Sequence, residues 1–197
     1  GAVPVGGGFD GNGAYRFDGV DDYVDLNVPQ AAQVEITMSL WMAFGTASLN
    51  SGVFTQRRTG PNHYRGIVKY GNEIRAFSRN STGVWQQVVD STPFAPSKFR
   101  HVVLTQTGSV ISLFVDGTLN QTLDMGSFFV WYGGFFRVGN YTDADLPYQG
   151  DICNVKIFNR ALSPEEVAVE YKRTGPTKMT QYAGRTYIQG QFKEVTA

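Results

Sequence analysis

Apolar and polar residues alternate with period two along most of the chain, the pattern of strands with one face buried. Ala14–Gly19 and Asp22–Leu26 form two short runs of this kind around a turn. In Val34–Phe44, Ile36, Met38, Leu40 and Met42 alternate with Glu35, Thr37, Ser39 and Trp41. Both sets include apolar side chains, which predicts a central strand whose partly aromatic second face is accessible. Further strands are expected at Gly52–Arg57, Tyr64–Tyr70, Glu73–Ser78 and Val84–Val89. The Gly71-Asn72 pair between Tyr70 and Glu73 suits a two-residue hairpin, since Gly and Asn tolerate positive φ. Arg100–Gln106 and Ser109–Val115 flank Thr107-Gly108, and Asp116-Gly117 turns the chain into Thr118–Leu123. Phe135–Gly139 and Asp151–Phe158 complete roughly twelve candidates, at the 8–12-residue spacing of a sandwich or barrel. A single segment reads as helix. Ser163 is its N-cap, Pro164 its first residue, Glu165 and Glu166 lie at the positive end of its dipole, and Thr174-Gly175-Pro176 stops it.

The composition agrees with an all-β chain. There are 23 glycines among 197 residues, 14% aromatic residues and only 17% charged ones. Glycine turns between aromatic and β-branched runs are what short antiparallel strands require. The charges cancel, with 17 basic and 17 acidic residues. That balance argues against nucleic acid or an anionic membrane as the partner, because both recruit a basic excess. No apolar run approaches the roughly 20 residues of a spanning helix, so membrane insertion is not expected. Cys153 is the one cysteine, which leaves no intrachain disulfide and no cysteine-based zinc site.

Four ordered stretches resemble the laminin-G-like (concanavalin A-like lectin/glucanase) family. They are Gly13–Val24 (GAYRFDGVDDYV), Glu35–Trp41 (EITMSLW), Phe99–Thr105 with Leu113–Gly117, and Gly150–Val167 (GDICNVKIFNRALSPEEV). The resemblance covers roughly residues 9–173. It implies a two-sheet antiparallel jelly-roll sandwich with one short helix after the last core strand. The expected division is a domain over 1–176 and a C-terminal strand or hairpin tail over 177–197. Turn chemistry and helix entry also account for these motifs, so they establish a fold before any activity. The chain departs from the family pattern where Phe99-Arg100 precedes His101 and where Cys153-Asn154 replaces an acidic pair.

The chemistry points to binding rather than catalysis. Glycosidases of this architecture carry paired acids on one strand, and no predicted strand here has such a pair. Glu165, Glu166 and Glu170 lie on the helix, Glu35 and Glu73 are isolated, and Glu194 is in the tail. Asp21, Asp22 and Asp25 adjoin a turn, where solvation explains them. No catalytic residue is nominated; His101, at a strand start, and Cys153, in an apolar strand, read as structural. Phe128–Phe136 holds six aromatics in nine positions. Rings with polar tips suit sugar faces and protein interfaces, so Trp131 and Tyr132, with Tyr141, are the candidate ligand-binding residues. Asp143 and Asp145 offer alternating oxygens in a loop, the start of a calcium site without an EF-hand's glycine and distal Glu.

The tail Lys178–Val195 resembles short segments found beside laminin-G-like domains in tailed-phage structural proteins. The expectation is thus a glycan-binding or structural module on a virion or cell surface, extracellular in either case. Its partner would be a glycan or a surface protein, with assembly through the tail and calcium as an optional cofactor. The alternatives are a polysaccharide-acting hydrolase or lyase of the same superfamily, and a purely structural capsid or fibre component.

Overall fold

The computed structural model describes residues 1–6, 13–26, 34–45, 50–57, 64–92, 95–128, 135–141 and 146–174. Trp131, Tyr132, Asp143, Asp145 and the tail 177–197 lie outside the described residues. Among the described ones are thirteen strands and one helix. In chain order the strands are β1 (Val3–Val5), β2 (Ala14–Asp18), β3 (Val24–Leu26), β4 (Glu35–Phe44) and β5 (Ser51–Arg57). There follow β6 (Tyr64–Tyr70), β7 (Glu73–Arg79), β8 (Trp85–Asp90), β9 (Arg100–Thr107) and β10 (Val110–Val115). Last come β11 (Thr118–Asp124), β12 (Phe135–Val138), β13 (Gln149–Phe158) and helix α1 (Pro164–Thr174).

The strands form two antiparallel sheets, consistent with the expected sandwich. One runs β1-β2-β13-β4-β9-β10-β11, the other β3-β12-β5-β6-β7-β8. Ile36, Met38, Leu40 and Met42 of β4 enter the main core with Leu104, Leu113, Phe54, Ile67, Ile74, Ala76 and Phe136. The period-two pattern therefore places one side chain in two in the space between the sheets. The expected turns hold. Tyr70 pairs with Glu73 across Gly71-Asn72, and Val115 pairs with Thr118 across Asp116-Gly117.

The second face of β4 corrects the sequence reading. The strand is central, between β13 and β9, but its outward side chains are covered. Trp41 is 2% exposed, its ring stacked on Tyr171 of α1 at 5.6 Å. Its indole Nε1 donates to Thr174 Oγ1 at 2.9 Å. Val167 packs with Val103, Phe114, Phe158 and Leu162 in a separate apolar cluster. The helix thus covers the central part of the outer face of the seven-stranded sheet, over β4, β9 and β13. Its start is the expected cap: Ser163 Oγ accepts from Glu166 N at 3.3 Å, and Glu166 Oε2 accepts from Ser163 N at 2.9 Å.

Candidate functional site

Among the described residues no helix covers the outer face of the six-stranded sheet, and its side chains have a character of their own. Ile67, Ile74 and Ala76 face the main core, so Tyr64 and Val68 of β6 and Phe77 of β7 point the other way. They form a second aromatic cluster with Trp85 and Tyr141 packed against it. Phe77 and Trp85 stack nearly parallel, with centroids 3.9 Å apart and planes 6° apart. Tyr141 closes the group, 5.6 Å from Tyr64 and 5.9 Å from Phe77. Tyr64 and Phe77 are buried, whereas Trp85 and Tyr141 remain half-buried.

Strand register sets these groups side by side. Arg57 of β5 pairs with Tyr64 of β6, and Arg79 of β7 pairs with Trp85 of β8. The register of β6 on β7 carries Arg65 opposite Ser78, which brings Tyr64 beside Arg79. A row of guanidinium, phenol, guanidinium and indole therefore crosses four strands. The Arg57 guanidinium lies 5.9 Å from the Tyr64 ring. That of Arg79 lies 5.8 Å from both Tyr64 and Trp85. Arg79 Nη1 donates to Gly83 O at 2.6 Å, which holds the group against the rings. The Trp85 indole donates to Gln87 Oε1 at 2.9 Å.

Tyr141 is set by the backbone beneath it. A Cβ added at Gly52 would come within 2.3 Å of Tyr141 N, so only glycine lets this segment close on β5. Asn140 Oδ1 accepts from Tyr141 N at 2.6 Å and Leu146 N at 3.0 Å, tying the two ends of the stretch between them. Burial pushes the Tyr141 hydroxyl up to about 12, partly opposed by the charge of Arg79. It stays protonated at neutral pH and can donate a hydrogen bond.

The sequence matches the family model described as the concanavalin A-like lectin/glucanases superfamily over residues 18–168. The chain belongs to that superfamily. No curated protein matches it in sequence. Solved structures share its fold at low identity. The botulinum neurotoxin serotype G binding domain superposes with a TM-score of 0.70 at 11% identity, covering 88% of this chain and 45% of that one. The receptor-binding domain of the botulinum neurotoxin C/D mosaic serotype gives 0.69 at 14%, covering 87% and 45%. A heptameric SAP-like pentraxin from Limulus polyphemus gives 0.66 at 12%, covering 81% and 82%. The chain spans less than half the length of the toxin chains it resembles.

A superfamily named for both lectins and glucanases poses a question of carboxylates, because glycoside hydrolysis needs two of them at a cleft. Two acids on this face, Glu73 and Asp25, are held by arginines. Glu73 Oε2 is 2.6 Å from Arg75 Nη2, and Asp25 accepts from Arg137 at 2.7 and 2.9 Å. Among the described residues Ser39 Oγ lies 3.0 Å from His101 Nε2, on the face covered by α1. Burial brings the His101 imidazole down to about 4, a neutral ring packed between Trp41 and Tyr171. Its reading as structural fits this setting.

Among the described residues, one group of acids comes close enough to share a cation: Asp18, Asp21 and Asp22. Asp22 is buried, contrary to the solvation expected for it, and accepts from Asp18 N at 2.9 Å. Its Oδ1 faces the Gly1 ammonium at 3.0 Å. Of the nominated ligand-binding residues, the structure places Tyr141 in the aromatic group. Tyr64, Phe77, Arg79 and Trp85 were not singled out in sequence. Counting outward from the Gly71-Asn72 turn sets Tyr64 level with Arg79 and was the available signal. No helix among the described residues is long and apolar enough to cross a membrane.

Proposed function

We propose that this domain is a non-catalytic glycan-recognition module, displayed outside the cell or on a virion surface. The observation that carries the reading is the four-strand row of Arg57, Tyr64, Arg79 and Trp85 with Tyr141 beside it. The half-buried Trp85 ring, stacked on Phe77, offers a flat apolar face for a sugar, while the Arg79 guanidinium and the Tyr141 hydroxyl supply donors beside it. The titles of the structural neighbours support a binding role: two are receptor-binding or binding domains of toxins. Trp131 and Tyr132 are proposed as further ligand-binding residues on the strength of the sequence. The test is binding to a glycan array by the whole chain, Trp85→Ala and Tyr141→Ala. Loss of binding in both variants, with unchanged melting temperatures, supports the module; measurable hydrolysis or lysis of a polysaccharide refutes it.

Two subsidiary proposals belong to this reading. Asp143 and Asp145, two and four residues beyond Tyr141, would hold calcium weakly, since two carboxylates need added carbonyls to complete a shell. A melting temperature unmoved by millimolar calcium refutes that. The segment 177–197 would mediate association, because a lone pair of strands is marginal in water and its edges seek partners. A chain ending at residue 176 that keeps both fold and oligomeric state refutes it.

A further inference from the structure

The arginines on the outer face of the six-stranded sheet are not alike. Arg75 and Arg137 each face a carboxylate, Glu73 and Asp25 respectively, and each also lies over a tyrosine ring, at 4.1 and 3.9 Å. Arg79 lies between the Tyr64 and Trp85 rings and, among the described residues, forms no ion pair. Its Nη1 is engaged by a neutral carbonyl oxygen, that of Gly83. Its Nε is buried and makes no hydrogen bond. The two rings nearest to it are both 5.8 Å from the guanidinium carbon, near the outer limit at which a ring face attracts a cation. A guanidinium half-buried among rings, with its Nε unpaired and no counter-ion among the described residues, gains from an anion that meets its Nη groups.

We infer that the ligand of this face is an acidic sugar, whose carboxylate or sulfate ester is received by Arg79. The inference rests on the glycan reading above and narrows its substrate class. The Nη groups of the planar guanidinium offer N–H donors that match the oxygens of such a group. The neighbouring half-buried Trp85 ring, backed by the buried Phe77, provides a surface for the sugar ring that carries it. Rings on either side lower the local dielectric and strengthen the charge-assisted bond. Glu73 and Asp25, held by other arginines, leave the charge of Arg79 available to the ligand.

The experiment compares three probes of equal length on the full chain by titration calorimetry: oligogalacturonate, a sulfated galacto-oligosaccharide and a neutral galacto-oligosaccharide. At least one acidic probe is expected to bind about ten-fold or more tightly than the neutral one, the share of a charged hydrogen bond. That preference should shrink as sodium chloride is raised. Arg79→Gln should abolish the ratio, and Arg79→Lys, which keeps the charge without the fork, should retain part of it. The two acidic probes tell carboxylate from sulfate, and preference for either supports the inference. Neutral sugar bound through Trp85 with no gain from an acidic group overturns the inference and leaves the glycan reading standing. A preference that survives in Arg79→Gln also overturns it. Failure of all three probes to bind overturns both. If Arg79→Gln does not fold, the salt dependence of the wild-type ratio and the Arg79→Lys result decide the matter.

Discussion

Arg65 of β6 donates from Nη1 to Gln106 Oε1 of β9 at 3.2 Å, crossing from one sheet to the other inside the sandwich. Its Nε donates to Gln56 Oε1 at 2.6 Å. Burial strongly disfavours this charge, and amide oxygens offset part of the desolvation cost. Removing Gln106 is therefore expected to cost more than an ordinary surface change. Gln106→Leu should lower stability by roughly 2–4 kcal/mol in urea unfolding, since it removes an acceptor from a buried charged donor. The double variant Arg65→Met/Gln106→Leu should recover part of that loss. Strict additivity of the two single changes would show that the pair is not coupled.

His101 gives the stability a pH dependence that can be read from its environment. Its folded value of about 4 lies below the ordinary value of roughly 6.5, because burial penalises the charged ring. Between those values the unfolded chain binds more protons, so stability rises with pH there. The contribution is complete above about pH 6.5 and falls as acid is added towards pH 4. Its full size is on the order of 3 kcal/mol, with about 2 kcal/mol lost between pH 6.5 and 5. Denaturation midpoints over that interval should slope for the wild type and flatten in His101→Gln; parallel slopes would refute the assignment.

Gly139 meets two constraints at once. Its φ is +88°, and a Cβ there would lie 2.1 Å from Phe17 Cε1. Gly139→Ala combines left-handed strain with overpacking of a buried ring, for an expected loss of about 3 kcal/mol. A thermal melt reports it directly, and a loss under about 1 kcal/mol would mean that the Phe17 ring yields easily.

The helix cap is a smaller effect on the surface. Ser163→Ala removes the acceptor for Glu166 N and should cost about 1 kcal/mol. The signature is a lowered midpoint with an unchanged denaturant slope; no shift would mean that packing against Val103 and Phe158 holds the helix start without the cap.

Most strands were legible because turn residues and alternation fix them locally. Tyr64–Tyr70 begins and ends where its pattern does, and the Gly71-Asn72 turn sets its register with β7. Alternation does not say what will cover an outward face, so Trp41 read as accessible while α1, more than a hundred residues later, lies over it. The same gap hid the aromatic site. Arg57, Tyr64, Arg79 and Trp85 become neighbours only through cross-strand register, and no stretch of sequence contains them together. Tyr141 was visible because it stands beside a loop rich in polar side chains. Its partners were not, because they sit inside strands whose alternation is explained by packing alone.

The Trp41–Thr174 contact has a practical consequence for any assay on a solid support. It places the end of α1 on the flank of the sandwich opposite the Arg79 face. Immobilisation through a handle joined to the C-terminal side of the helix would turn Trp85 and Tyr141 towards the bulk solution. Coupling through lysine amines would instead include the exposed Lys98, just before β9, as well as Lys172 of α1, and so mix orientations. An oriented sensor surface built from the C-terminal side should therefore report a larger active fraction than a randomly coupled one.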